Sequence, residues 1–188
     1  FLYRKMLPIV VDAGFRVIAP DLVGFGKSDK PTKRSDYTYE RLVKWMQAWL
    51  EQLGLNRISL VCQDWGGLIG LRLLTHNPDR FSHVIVANTG LPTGDVPASD
   101  AFLNWRNFSL EVEDFDVGSI VAMGCQTELP QNALAAYNAP FPDDTYKEGA
   151  RILPSLVPIN PDDPSSPANR KAWEVLSNLK IPFLTAFS

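Results

Sequence analysis

The chain has 188 residues and carries 18 Lys and Arg against 21 Asp and Glu, a net charge of -3. Hydrophobic residues make up 45% of the chain, which is typical of a globular protein and excludes a disordered one. A nucleic-acid binder is not expected without a Lys/Arg surplus. No apolar run approaches the roughly 20 residues that span a bilayer. One domain, or one domain with an insertion, is therefore expected.

In chain order, strand and helix patterns alternate. Residues 15–19 form a short β-rich run ended by Pro20, and a glycine-rich loop follows at 24–29. Residues 39–53 show helical spacing of apolar side chains, and Gly54 closes this helix. The pattern then predicts a strand over 58–62, a helix over 68–74, a strand over 84–87, a helix over 171–179 and a strand over 182–187. This order predicts an α/β fold, with a mostly parallel sheet flanked by helices.

The composition changes in the middle of the chain. Residues 1–94 carry 12 basic and 8 acidic side chains, whereas residues 95–148 carry 2 basic and 10 acidic ones. Ten of the 15 prolines lie from Pro92 to Pro167. Because such shifts mark boundaries, we expect a core over 1–92, an insertion over 93–168 and a return to the core over 169–188.

One segment contains a motif that predicts a catalytic role. It is Leu-Val-Cys-Gln-Asp-Trp-Gly-Gly-Leu-Ile-Gly at residues 60–70. A buried strand is expected to run into a turn, and a helix follows at once. The small residues Cys62 and Gly66 flank Asp64 at positions -2 and +2, the pattern of a nucleophile elbow. The helix N-terminus at this point favours an anion. The alternative is that Asp64 only caps the helix.

An aspartate at this turn predicts a particular reaction. A carboxylate suits attack on an sp3 carbon that bears a leaving group, which forms an ester that water later cleaves. Alkyl halides and epoxides are substrates of this type. A departing halide needs donors in a dry pocket, and indole is apolar and carries one N–H with no acceptor.

The chain resembles the haloalkane dehalogenases of the α/β-hydrolase superfamily. Gln-Asp-Trp-Gly-Gly at 63–67 resembles their nucleophile motif, and residues 17–31 resemble the loop before the first helix that covers the sheet. Phe-Leu-Asn-Trp at 102–105 resembles the cap segment that bears a second halide-binding tryptophan, and residues 136–143 resemble another cap motif. The resemblance implies an α/β-hydrolase fold in which residues 93–168 are a helical cap and return loop.

The resemblance also implies residue roles. Asp64 would be the nucleophile, Trp65 and Trp105 would bind the halide, and the backbone N–H of Trp65 would supply half of an oxyanion hole. The pocket walls would be Leu68, Phe102, Phe141 and Pro142. No cofactor or metal is implied. The partners would be a small hydrophobic halogenated substrate, halide and water, and a monomer is expected. Two cysteines, Cys62 and Cys125, do not make a disulfide scaffold, so a cytoplasmic location is expected.

The general base and its acid partner are not identified in this sequence. The two histidines, His76 and His83, fall at the far end of the predicted helix and at the start of the next strand. Since the chain starts at Phe1 and ends at Ser188 inside an apolar run, we expect a piece of a longer protein, inactive by itself. The resemblance places the missing acid and His after residue 188. Two alternatives remain open: an epoxide hydrolase using Tyr137 and Tyr146, and a non-catalytic relative.

Overall fold

A computed structural model describes residues 1–188. The helices are α1 (Leu7–Asp12), α2 (Tyr39–Gln52), α3 (Trp65–His76), α4 (Asp100–Glu111), α5 (Val117–Met123), α6 (Gln131–Asn138), α7 (Glu148–Leu156) and α8 (Ser166–Leu176). The strands are β1 (Ile58–Gln63), β2 (Phe81–Ala87) and β3 (Phe183–Ala186). Short 3₁₀ turns lie at Leu2–Lys5, Arg34–Asp36, Pro78–Arg80 and Asp144–Lys147. None of the eight helices has the length and hydropathy of a transmembrane span.

The chain forms two compact units. We call Phe1–Asp36 with Asn107–Ile152 the helical unit, and Tyr37–Arg106 with Leu153–Ser188 the sheet unit. The predicted division into residues 1–92, 93–168 and 169–188 rests on composition instead, and it stays a prediction.

The sheet unit contains a three-stranded sheet of order β1-β2-β3 in which both strand pairs are parallel. The predicted α/β class and parallel sheet are confirmed. In register, Gln63 lies opposite Ala87, and Ala87 lies opposite Ala186. The carboxyl ends of all three strands therefore meet at one edge of the sheet, where Asp64 follows β1 and Asn88 follows β2.

Helix α3 is the centre of the sheet unit. It packs against α2, α8 and β1, and it buries nine of its 12 residues, including Arg72. A helix that is apolar on nearly all sides is expected at the centre of a core. Helix α2 begins where the side chain of Thr38 accepts the Arg41 backbone N–H. Gly54, with a φ of 59°, follows the end of α2 in a conformation that favours glycine.

One face of β1 lies against α3 and the other does not. The side chains of Leu60 and Cys62 point toward Gly70 of α3, whereas Val61 on the opposite face is 48% exposed. The strand predicted to be buried is thus only half-buried. The reason is that α3 packs against one face of β1, whereas the side chains of the other face stay more exposed.

The predicted strand over residues 15–19 is wrong. No strand forms there, and most of these residues are exposed. A β-strand requires a neighbouring backbone for its ladder of hydrogen bonds, and the sheet pairs only the three later strands.

The helical unit is fixed by arginine contacts with the chain's own backbone and carboxylates. Arg151 donates to the backbone oxygens of Val112 and Glu113 over 2.6 and 3.1 Å. Arg34 donates two hydrogen bonds to the Glu148 carboxylate over 2.5 and 3.2 Å. Such forked contacts suit the planar guanidinium group and hold segments that are distant in sequence.

Candidate active site

Asp64 occupies a strained turn between β1 and α3. Its φ of 48° and ψ of -130° are unusual for a non-glycine residue. A backbone in such a region costs about 1 to 3 kcal/mol and persists only where the surroundings enforce it. The observed turn is the sharp strand-to-helix elbow that the sequence predicted.

Four hydrogen bonds hold the backbone of Asp64 in this conformation. Its N–H donates to the backbone oxygen of Asn88 over 3.3 Å. Its carbonyl oxygen accepts from the Thr89 hydroxyl over 2.7 Å, and from the N–H groups of Gly67 and Leu68 over 2.8 and 3.3 Å. The loop after β2 therefore supports the turn after β1. The sequence patterns did not indicate Asn88 or Thr89, because neither motif nor periodicity shows which loop lies beside the elbow.

The glycines after Asp64 face different neighbours. A Cβ at Gly66 would lie 3.8 Å from the Cβ of Cys62, an ordinary contact that a small residue at 62 permits. A Cβ at Gly67 would lie only 2.0 Å from Oγ1 of Thr89. Close approach of backbone and side chain is thus enforced at Gly67, one residue beyond the position that the elbow pattern emphasised.

The Asp64 side chain makes no capping hydrogen bond to α3. Although the residue as a whole is exposed, nearby protein atoms desolvate its carboxyl group, and this burial raises the pKa of Asp64. A hydrogen bond from the Trp65 backbone N–H acts in the opposite direction and lowers that pKa. The carboxyl group thus interacts with the Trp65 N–H, but it makes no capping bond deeper in the first turn of α3, as a capping aspartate would.

Trp65 and Leu68 lie in the first turn of α3, directly after Asp64. Both are buried, with 8% and 6% of their surface exposed. The Trp65 indole packs edge-on against the ring of Tyr39, with centroids 5.1 Å apart and ring planes at 77°. The hydroxyl of Tyr39 donates to the backbone oxygen of Leu68 over 2.7 Å. Tyr39 was not singled out from the sequence, since an aromatic residue at the start of an amphipathic helix is typical of ordinary core.

Two of the predicted cap residues, Phe102 and Trp105, lie on α4 in the sheet unit. Phe102 is half-buried and Trp105 is 36% exposed. Since three positions separate them, their side chains are neighbours on the helix surface. Trp105 and Trp65 belong to the same compact unit, and convergence of their indole N–H groups on one halide stays a prediction.

The two remaining pocket residues belong to the helical unit. Phe141 is half-buried and meets the ring of Phe25 edge-on, with centroids 6.5 Å apart. Pro142 is exposed. Their predicted contact with substrate stays a prediction.

Both histidines lie away from Asp64, as the sequence indicated. His76 ends α3, 11 positions after its first residue Trp65, which corresponds to about 16 Å along a helix that rises 1.5 Å per residue. Burial and the nearby Arg72 charge lower the pKa of His76. His83 is exposed and pairs in register with Ser59, near the opposite end of β1 from Asp64. The structure contains no group of three or more His, Cys, Asp or Glu side chains that could hold a metal ion.

The chain matches a known protein family in sequence as well as in geometry. The family model described as alpha/beta hydrolase fold matches residues 2–146. The chain belongs to the α/β-hydrolase fold family. This agrees with the parallel sheet and with the elbow at Asp64, and it confirms the predicted fold.

Within the α/β-hydrolase family, the chain is similar to haloalkane dehalogenases. It is 59% identical to the haloalkane dehalogenase of Psychrobacter cryohalolentis over 188 residues, which is 100% of this chain and 62% of that protein. It is 48% identical to the haloalkane dehalogenase of Mycolicibacterium paratuberculosis over 187 residues, again 100% of this chain and 62% of the relative. The chain thus spans 62% of the length of these curated relatives.

A solved structure supports the same relationship. The haloalkane dehalogenase DpaA from Paraglaciecola agarilytica NO2, which is tetrameric, is 39% identical and superimposes with a TM-score of 0.92. The match covers 98% of this chain and 62% of that one. The predicted resemblance to haloalkane dehalogenases is therefore confirmed at the level of sequence and fold.

Proposed function

We propose that the protein carrying this sequence is a haloalkane dehalogenase, a hydrolase of carbon–halide bonds. The observation that carries the proposal is Asp64, an aspartate held in a strained strand-to-helix elbow without a capping bond from its side chain. The side-chain oxygen of a residue used only as a helix cap would accept hydrogen bonds from the first-turn N–H groups. The strain at Asp64 is better explained by presentation of its carboxylate to a substrate.

The proposed reaction has two steps. An Asp64 carboxylate oxygen attacks the halogen-bearing carbon, so that a C–O bond forms while the carbon–halogen bond breaks and the halide leaves with the bonding electrons. Water then adds to the carbonyl carbon of the aspartyl ester, and the alcohol leaves. One haloalkane and one water give one alcohol, one halide and one proton.

Each site residue has a defined task in this scheme. The indole N–H groups of Trp65 and Trp105 bind the leaving halide, and the backbone N–H of Trp65 supplies one donor to the oxyanion during ester hydrolysis. Burial of Trp65 supports a desolvated halide site. The substrate would contact the pocket walls that the sequence predicts, namely Leu68, Phe102, Phe141 and Pro142.

The base that activates water is proposed to be a His of the complete protein after residue 188, oriented by an acid in the same region. His76 and His83 are unsuited. His76 ends α3, at the opposite end of that helix from Asp64, and His83 lies in β2 opposite Ser59, at the far end of β1 from Asp64. Residues 1–188 by themselves are accordingly proposed not to turn over. Residues 93–168 are proposed to be the cap and its return loop.

The remaining proposals concern the setting of the enzyme. A cytoplasmic location and a monomer are proposed for the complete protein. The tetrameric state of DpaA shows that a fold of this kind can also assemble. Sedimentation of the complete protein at several concentrations would decide between the two states.

The decisive experiment follows oxygen atoms in the complete protein. With a short bromoalkane in ¹⁸O-water, a single turnover should give unlabelled alcohol, because the alcohol oxygen comes from Asp64. The Asp64 peptide should then carry ¹⁸O, as mass spectrometry would show. Labelled alcohol with an unlabelled peptide would contradict the nucleophile role, and no bromide release would contradict the proposed function. Diol formation from an epoxide without bromide release would favour the epoxide hydrolase alternative.

Asp64→Asn is the matching variant, with Asp79→Asn as its control. Asp79 is an exposed aspartate in the 3₁₀ turn at Pro78–Arg80. Bromide release should disappear in the first variant and persist in the second.

A further inference from the structure

Two buried aromatic rings, those of Tyr39 and Trp65, are in contact next to the elbow at Asp64. Tyr39 of α2 is 2% exposed and packs edge-on against the Trp65 indole of α3. An edge-on contact fixes the angle of one ring relative to the other, since the positive edge of one ring meets the negative face of the other. The orientation of the indole, and hence the direction of its N–H, therefore depends on where the Tyr39 ring is held.

The Tyr39 ring is itself anchored to α3. Its hydroxyl donates to the Leu68 backbone oxygen over 2.7 Å, one turn after the start of the helix. Burial raises the pKa of Tyr39 far above its ordinary value, so the hydroxyl remains a neutral donor. Tyr39 thus contacts the helix twice, once through its ring at Trp65 and once through its hydroxyl at Leu68.

A buried arginine also contacts the Tyr39 ring. The guanidinium carbon of Arg72 lies 5.6 Å from the Tyr39 ring centroid, and Arg72 is 2% exposed. Arg72 donates to Asn169 and Glu40, each over 3.1 Å. Its buried Nε has no hydrogen-bond partner. A buried cation with an unsatisfied donor gains from the electron-rich ring face, so the arginine and the ring hold each other in place.

The same group of residues reaches the loop that supports Asp64. Asn169, which accepts from Arg72, donates to the backbone oxygen of Pro92 over 2.7 Å. Pro92 follows Asn88 and Thr89, the two residues that bind the Asp64 backbone. Arg72 and Asn169 therefore link the Tyr39 ring, which packs on Trp65, to the loop whose residues Asn88 and Thr89 bind the Asp64 backbone.

We propose that Tyr39 is a positioning residue for halide binding: its ring, anchored on Leu68 and backed by Arg72, sets the angle of the Trp65 indole toward the leaving halide. This inference rests on the proposed dehalogenase function and extends it to a residue outside the substrate site. A hydrogen bond weakens steeply as its donor turns away, so a misdirected indole would bind halide less tightly.

The chain offers a matched control in a second buried tyrosine. Tyr37 is also 2% exposed and meets the ring of Trp45 edge-on, with centroids 6.2 Å apart and planes at 83°. Replacement of Tyr37 removes a similar ring from a similar pair, but the tryptophan concerned is not Trp65.

The test compares Tyr39→Phe and Tyr39→Leu with Tyr37→Phe and Tyr37→Leu in the complete protein. Bromide affinity is measured by quenching of tryptophan fluorescence, with Trp65→Phe to identify the signal of Trp65. Bromide release from a short bromoalkane gives kcat and KM, and thermal unfolding gives Tm. We expect bromide to bind about threefold more weakly in Tyr39→Phe and at least tenfold more weakly in Tyr39→Leu. The Tyr37 variants should stay within twofold of the parent, even where their Tm falls equally.

Equal bromide affinity in the Tyr39 and Tyr37 variants would overturn the positioning role. If the parent still released bromide, the proposed function would be unaffected by that result. A parent protein that neither bound nor released bromide would instead overturn both. If Tyr39→Leu does not fold, the two Phe variants decide, since a common fall in Tm with no difference in bromide affinity indicates a purely structural role.

Discussion

The hydroxyl of Thr89 donates a hydrogen bond of 2.7 Å to the backbone oxygen of Asp64, 25 residues earlier in the chain. This bond joins the loops that follow two neighbouring parallel strands. It bears directly on the strained residue, and the oxygen of Asp64 also accepts the Gly67 N–H. The support of the elbow can therefore be tested without a change to the proposed nucleophile.

Thr89→Val removes this bond and keeps the shape of the side chain. We expect a loss of about 1 kcal/mol in the free energy of unfolding, the usual net value of one hydrogen bond. Bromide release should fall several-fold, because Asp64 is less firmly held. Urea denaturation and a halide assay of the complete protein measure the two effects. Thr75→Val is the control, since the Thr75 hydroxyl bonds only to Arg72 within α3. Equal effects of the two variants would contradict the support role.

Gly67→Ala and Gly66→Ala form a matched pair in the first turn of α3. The new Cβ at 67 would overlap the Thr89 side chain, so we expect a loss of about 1 to 3 kcal/mol, typical of overpacking. The Cβ at 66 has room, and alanine favours helix over glycine by up to about 1 kcal/mol. Gly66→Ala should therefore be neutral or stabilising in urea denaturation. The reverse order of stability would show that the tight contact lies elsewhere. Thr89→Ala in the Gly67→Ala background should recover part of the loss.

The raised pKa of Asp64 predicts a pH dependence. Because burial raises this pKa in the folded protein, the folded state keeps the proton at pH values where the unfolded state has released it. Between the pKa of Asp64 in the unfolded protein and its higher pKa in the folded protein, the free energy of unfolding therefore falls as pH rises. Above the folded pKa, this loss of stability remains, and it is fully present at neutral pH. Asp64→Asn should be more stable than the parent at pH 7 and equally stable below the ordinary aspartate pKa. Urea denaturation at both pH values checks this, and a less stable variant at pH 7 would contradict it.

The same variant tests catalysis. Removal of the nucleophile should lower bromide release on the order of 10⁴-fold or more, as loss of a nucleophile does in other covalent enzymes. In the parent, activity should rise with pH through the raised Asp64 pKa, because only the ionised carboxylate attacks. A pH profile of kcat/KM with no acidic limb would argue against this assignment.

Gly94 is expected to be far less tolerant of replacement than Gly54. Both have positive φ, 77° and 59°, and an alanine in that region costs about 1 to 2 kcal/mol. At Gly94 the new Cβ would also lie 2.1 Å from the backbone of Asn160, whereas Gly54 has open space. Gly94→Ala should thus lose about 1 to 3 kcal/mol more than Gly54→Ala, since backbone must move. Equal losses in urea denaturation would exclude the close approach.

The two cysteines should differ in reactivity. Cys62 is buried in β1, and burial raises the pKa of its thiol to about 12. Because the thiolate is the reactive form, alkylation at pH 8 should be very slow. Cys125 is exposed. Iodoacetamide labelling followed by peptide mass spectrometry should show modified Cys125 in native protein and modified Cys62 only in urea. Rapid native labelling of Cys62 would show that β1 opens readily.

Local sequence patterns were enough to predict much of the fold of this protein. Helix α2 was predicted from its apolar spacing and Gly54, and the parallel sheet from the order of its strands. The nucleophile elbow followed from small residues on each side of Asp64. These features depend on steric and polar preferences that act over a few residues, and such preferences can be recognised without coordinates.

Contacts between distant residues decided the rest. Residues 15–19 have the composition of a strand but no neighbouring backbone, so none forms. The sequence of β1 predicts a buried strand, yet α3 packs against only one of its faces, and Val61 on the other face is exposed. Thr89 supports Asp64 and Tyr39 packs on Trp65 because register and helix packing bring them together. Hydrogen bonds and ring contacts require proximity in space, which strand pairing and the docking of α2 on α3 create, and no local pattern encodes it.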